Sequence, residues 1–166
     1  DPRRLQNDPA LAAHRGRINY TVWSDVFVCP HCAGELVFWE EAVDQEAGKV
    51  RREFPCPHCK ALLTKRNMER AIETRFDRAL DRSIQQAKQV PVLINYSVGK
   101  RRFEKKPDRY DLALIETIEK SEIPHWFPTN RMPEGDESRR NDSIGITHVH
   151  HFYTKRNLWT LATLNW

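Results

Sequence analysis

Phe27-Val28-Cys29-Pro30-His31-Cys32 and Phe54-Pro55-Cys56-Pro57-His58-Cys59 are two copies of one motif, Phe-x-Cys-Pro-His-Cys, offset by 27 positions. Between them they hold all four cysteines of the chain, and the likeness runs on to Leu36 and Leu63 at the same offset. Two thiolates separated by two residues chelate one metal from a tight turn, and two such turns complete a tetrahedral shell. Cys29, Cys32, Cys56 and Cys59 are therefore read as the ligands of a structural zinc in a ribbon, with the 23 residues between Cys32 and Cys56 forming a hairpin.

Two other uses of four cysteines fit less well. Disulfides belong to secreted proteins, but the N-terminus carries no apolar leader region and no stretch is long enough to span a membrane. The same absence sets the expectation of a cytoplasmic chain with no membrane partner. A redox Cys-x-x-Cys pair does not explain two equivalent pairs with proline at the same inner position. His31 and His58 lie inside the turns, where four thiolates already close the shell and leave no position for a catalytic water. This metal is expected to hold structure and to perform no chemistry.

With 166 residues the chain buries about one domain's worth of core. Its 30% charged content implies a thin core or missing neighbours. The net charge of +4 is concentrated rather than spread: residues 100 to 109 carry six positive and two negative side chains, leaving the remainder neutral. Such a patch fits a polyanion, most often nucleic acid. It equally fits an exposed hairpin edge protected from aggregation by lysines. The chain starts at Asp1 and stops on a tryptophan within an apolar-faced helix, so the reading expects a fragment of a longer protein.

Along the chain, residues 1–17 read as a flexible lead-in and residues 18–63 as the zinc ribbon. Within the ribbon, Asn19 to Val28 form a strand into the first turn and Glu35 to Val43 a strand out of it. Gly48 supplies a turn, and Val50 to Phe54 return to the second cysteine pair. Residues 64–147 form a small α+β segment. Met68, Ile72, Phe76, Leu80 and Ile84 recur every four residues and favour one long helix from Thr64 to about Lys88, while Glu73 to Arg78 would also serve as a strand. Pro91 to Val98 and Arg101 to Lys105 predict a hairpin about Gly99-Lys100. Asp108 caps a helix through Lys120 with Leu112, Ile115 and Ile118 on its inner side. Pro124, Pro128 and Pro133 open an irregular loop, and the charge-dense stretch from Arg131 to Asp142 cannot pack a core. Residues 148–166 are a junction and a truncated helix with Thr154 as N-cap and Leu158, Leu161, Ala162 and Leu164 on its apolar face.

No residue of the chain forms a recognisable catalytic or cofactor-binding set. The six glycines are scattered, so no phosphate-cradling turn exists. In an extended Ile146 to Tyr153, His148 and His150 share one face and His151 takes the other. Two histidines on a face can bind a second metal, but no third ligand is obvious; packing or hydrogen bonding beside a helix start is the commoner use, with contact to phosphate or a bound nucleotide as a third.

Three blocks carry a resemblance. Ile18 through Phe27 into the first cysteine turn, Pro91 to Tyr96 with Gly99 to Asp108, and Gly135 to Asp142 continuing through Gly145 to Leu158 together resemble the central part of bacterial S-adenosylmethionine-dependent, adenine-specific DNA methyltransferases. The resemblance implies methyl transfer to the amino group of a flipped-out base. The partners it implies are DNA and the remainder of the methyltransferase chain. The family's Asp/Asn-Pro-Pro-Tyr signature is missing, because Asp1-Pro2 and Asp8-Pro9 lack the second proline and the aromatic. S-adenosylmethionine is therefore expected on the full enzyme and not on this segment. The reading is an α+β fragment of a larger α/β methyltransferase, in which the ribbon is followed by a hairpin and helices. Lys100, Arg101, Arg102, Lys105 and Lys106 are expected on phosphates, with Arg139 and Arg140 near the base or the cofactor-domain interface. The alternative is a purely structural interaction module with no nucleic-acid contact.

Overall fold

β-Branched and aromatic residues dominate Arg17–Val28, and this run forms β1, a strand of 12 residues around which the structure is assembled. The computed structural model describes residues 16–164. Most of the expected lead-in, both Asp-Pro pairs and the terminal Trp166 lie outside the described residues. The N-terminal part of β1, from Arg17 to Asp25, pairs antiparallel with β10 (Gln89–Val98), and β10 pairs with β11 (Arg101–Lys105). Its C-terminal part changes partners. Phe27 is flanked by Leu36 of β2 (Glu35–Val37) on one side and Arg70 of β7 (Glu69–Arg70) on the other. Ribbon and α+β segment therefore share one strand, and β11 is an edge of the sheet.

The strand expected from Glu35 to Val43 stops early. β2 ends at Val37 and helix α1 (Phe38–Ala42) follows, before β3 (Val43–Asp44) turns through Gly48, at φ +60°, into β4 (Lys49–Val50). The helical turn brings Phe38 against Phe27 and Phe54, at ring-centroid distances of 5.4 and 6.1 Å, and buries Ala42 completely. A strand there would send alternate side chains to opposite faces and lose that packing. β5 (Phe54–Pro55) and β6 (Leu62–Leu63) then flank the second cysteine turn. Phe27, Cys29, Leu36, Phe54, Cys56, Leu63 and Met68 form one buried cluster, so the larger of the two cores surrounds the cysteines.

The helix favoured from Thr64 to Lys88 does not form; β7 is followed by a hairpin of β8 (Ile72–Asp77) and β9 (Arg82–Ala87), so the strand alternative at Glu73 to Arg78 is the one found. A four-residue repeat is commensurate with the two-residue repeat of a strand, so its spacing alone does not separate the two. The turn decides it: Asp77 Oδ1 accepts the amides of Ala79 and Leu80 at 2.9 and 3.3 Å, and Asp81 takes φ +51°.

The hairpin of β10 and β11 and the capped helix are as the sequence indicates. Gly99 stands at φ +59°, the first loop residue of a two-residue turn. Helix α2 (Arg109–Lys120) begins with a capping box, in which Asp108 accepts from Tyr110 and Asp111 and the Asp111 carboxylate accepts the Asp108 amide. Leu112, however, faces outward and is 47% exposed, and no residue of α2 is buried. Ile115 and Ile118 line a cleft of ≈470 Å³ shared with β1.

Within the proline-interrupted region a further short helix, α3 (Asp136–Asp142), forms with no buried residue. Arg131 is paired to Asp142 at its end at 2.7 Å. Helix α4 (Lys155–Leu164) buries Leu158 and Ala162 against Ile123 to make the second, smaller core, while Leu161 and Leu164 are exposed. Gly145 pins the preceding loop to β9, with its φ at +80° and an added Cβ 2.0 Å from the Gln85 carbonyl oxygen. A left-handed alanine costs about 1–2 kcal/mol before any clash. Gly145→Ala is therefore expected to lower stability by more than about 2 kcal/mol in urea denaturation, and an unchanged midpoint would contradict this packing.

Candidate metal centre and basic hairpin

The two cysteine turns are built alike, bond for bond. In the first, the Cys29 amide donates to Gly34 and the Ala33 amide returns to the Cys29 carbonyl, both at 2.9 Å. In the second, Cys56 donates to Ala61 at 2.8 Å and Lys60 returns to Cys56 at 3.0 Å. Ala33 and Lys60 hold the corresponding left-handed position at φ 57° and 63°. The turns differ at one point, where Gly34 allows the His58 ring to approach. A Cβ there would lie 2.5 Å from His58 Cδ2, and His58 Nε2 pairs with the Glu35 carbonyl at 2.8 Å. His58 thus ties the second turn to β2 and is spoken for outside the metal shell.

All four Sγ atoms lie within 4.8 Å of one another, with Cys29–Cys59 and Cys32–Cys56 separated by 3.8 Å. Four sulfurs at the zinc–thiolate bond length of about 2.3 Å form a tetrahedron with edges of about 3.8 Å. Cys29, Cys32, Cys56 and Cys59 are positioned to hold one metal ion, and the spacing fits zinc. Burial raises the Cys56 thiol, but the amides of Cys59 and His58 outweigh it and hold it at about 6. At Cys32 the Gly34 backbone acts downward, while burial and the other three thiols push it up to about 12. All four can be thiolates together only with a cation among them.

A second cluster joins distant parts of the chain. The histidines expected in an extended segment lie instead at a single 3₁₀ turn, Val149–Phe152, and His148, His150 and His151 are all buried. His150 and His151 both reach Asp77 Oδ2, at 2.9 and 2.7 Å. One face of an extended chain cannot present adjacent residues to one acceptor, whereas a 3₁₀ turn does. Sequence reading missed Asp77, whose signal was its place as the turn-forming residue after a β-rich run. Burial raises its carboxyl, but hydrogen bonds from His151 and His150 hold it at about 2.

These three residues also have the composition of a metal site. The Thr147 amide donates to His151 Nδ1 at 3.2 Å, so the ring proton sits on Nε2 and faces Asp77. A metal on Nε2 would force that proton onto Nδ1, against the Thr147 N–H. The cluster is therefore a proton-filled staple between the β8 turn and the 3₁₀ turn.

Burial, reinforced by neighbouring imidazoles, lowers the pKa of His148. His151 is likewise lowered by burial, only partly offset by Asp77. In the unfolded chain both imidazoles take up protons near pH 6.5, and the folded chain refuses them. Stability is therefore expected to fall between pH 7.5 and 5.5. Asp77 acts only below about pH 4, where the unfolded carboxyl protonates while the folded one does not. Urea midpoints at the two pH values check this, with cobalt–thiolate absorption confirming that the metal stays bound. Equal midpoints would contradict it.

The basic residues separate into distinct environments. Lys100, Arg101 and Arg102 are exposed at the tip and edge of the β10–β11 hairpin, with no ion pair or side-chain hydrogen bond among the described residues. Lys105 is different, being held by Asp108 at 2.9 Å and Asp111 at 2.6 Å, where it anchors the start of α2. Lys106 lies 3.7 Å from Glu40. Arg139 and Arg140 are exposed on α3, with Arg140 paired to Glu137 at 2.9 Å. No described helix is long and apolar enough to cross a membrane.

Comparison of the chain with protein-family models, with curated proteins and with solved structures returns no match.

Proposed function

We infer that this chain is a zinc-braced segment that engages DNA within a methyltransferase. The observation that carries the DNA reading is the hairpin. Lys100, Arg101 and Arg102 stand together at the hairpin turn and on its edge strand, exposed and without a carboxylate partner among the described residues, and that strand is fixed through β10 to the metal ribbon. Unpaired cations on a rigid support neutralise phosphates and release counterions, whereas cations already in ion pairs contribute less. Lys105 is thus assigned to the α2 cap rather than to phosphate, and Lys106, Arg139 and Arg140 are secondary contacts. The methyltransferase assignment rests on the three resembling sequence blocks. S-adenosylmethionine and the catalytic residues belong to the remainder of that enzyme, while this segment supplies scaffold and grip.

Neutralising Lys100, Arg101 and Arg102 to glutamine together is expected to weaken binding to every duplex sequence. It should also flatten the slope of log affinity against log salt by about three units. Fluorescence anisotropy over a salt series measures both. Unchanged affinity and slope would remove the DNA role and favour a second reading, in which the segment braces neighbouring protein. The exposed Tyr110, Leu112 and Leu114 of α2 are the observation that supports that reading.

A further inference from the structure

The hairpin carries more than charge. Strand register sets Tyr96 of β10 opposite Phe103 of β11, and their rings stack with centroids 5.6 Å apart and planes inclined by 27°. Gly16 lies close to the Tyr96 ring: a Cβ at that position would come within 2.7 Å of Tyr96 Cδ2. Tyr96 is thus backed by the Gly16 backbone and by Phe103, and Phe103, 42% exposed, is the ring presented to solvent.

Alternation along β11 sorts the neighbours. Arg101 shares the Phe103 face, while Glu104 falls on the opposite face. On that opposite face Asn95 Nδ2 donates to Glu104 at 3.2 Å. Asn19 bridges to Asn95 and Ser97, both at 2.8 Å. This polar ladder fixes the three strands in register and engages Glu104 on the face opposite the rings. The result is a preorganised aromatic platform beside Arg101, with Lys100 at the adjoining turn.

We propose that this platform binds single-stranded nucleic acid, stacking an unpaired base on Phe103 while Lys100 and Arg101 take the flanking phosphates. The proposal rests on the nucleic-acid reading above and narrows it. A duplex hides its base faces in its own stack and offers the hairpin only phosphates. An unpaired strand also offers a π-face, which a solvent-presented ring accepts irrespective of sequence. A purely electrostatic hairpin has no use for a supported, exposed phenylalanine on its cationic face.

The experiment compares the zinc-loaded chain on fluorescein-labelled dT12, rU12 and an abasic 12-mer with the same number of phosphates. The expected result is binding of dT12 or rU12 about tenfold tighter than the abasic chain. Which of the two is preferred assigns the strand as DNA or RNA. Phe103→Leu, which keeps an apolar β-forming side chain, is expected to lower binding to the level of the abasic 12-mer, and Phe103→Trp to retain the preference. Equal binding of all three probes by the wild-type chain, or a preference that survives Phe103→Leu, would overturn the platform while leaving charge-driven binding intact. Binding to none of the probes, nor to a duplex, would remove the nucleic-acid reading itself.

Discussion

Replacing Cys56 with serine is expected to dismantle the ribbon. Metal content should fall well below one ion per chain after dialysis against a weak chelator. Cys56 is wholly buried and belongs to the same core as Phe27, Leu36, Phe54 and Leu63, so metal binding and packing of this half are one event. Structural zinc contributes roughly 10–16 kcal/mol of apparent binding free energy in small domains, and folding draws on it directly. A chelator acting on the wild-type chain should reproduce the effect and zinc should reverse it. Near-ultraviolet circular dichroism with metal analysis follows both. A Cys56→Ser chain that keeps its metal and its tertiary signal would show that the four thiols do not form one shell.

The second large effect is expected at Asp77. Its two oxygens have separate duties: Oδ1 accepts the turn amides of Ala79 and Leu80, and Oδ2 accepts His150 and His151. Asparagine matches the shape but has one acceptor oxygen, so one pair of donors must face an NH₂ group. Leaving donors unsatisfied beside a buried site costs about 3 kcal/mol. Asp77→Asn should therefore lower the urea midpoint strongly while the metal content stays unchanged, because the ribbon core is separate from this staple. A double-mutant cycle with His151→Asn should give a coupling of about 1–3 kcal/mol. Strict additivity would mean that the two residues do not interact.

What was legible in the sequence follows from how locally each feature is encoded. Each cysteine turn needs only six consecutive residues, so the motif contained the ligands and the turn, and its 27-residue repeat also marked the buried Leu36 and Leu63. The hairpin at Gly99 and the Asp108 capping box are equally local. The stretch after the ribbon misled because a repeat of four satisfies helix and strand alike, and the deciding residue was the turn-former Asp77. The histidines misled for the opposite reason. Their partner lies 73 and 74 residues away, a separation that no short window registers. Lys105 and Arg101 look alike as members of a basic run. Only the helix cap that follows, Asp108 with Asp111, shows that one is occupied and the other is not.

The metal-braced hairpin is proposed to grip nucleic acid through Lys100, Arg101 and Arg102, which are unpaired among the described residues. Titrating the zinc-loaded chain with a short DNA duplex between 50 and 200 mM salt tests it most directly. Three free cations, each releasing about 0.9 counterion on a duplex phosphate, give an expected log–log slope near −3. No detectable binding at the lowest salt, or an affinity indifferent to salt, would contradict it.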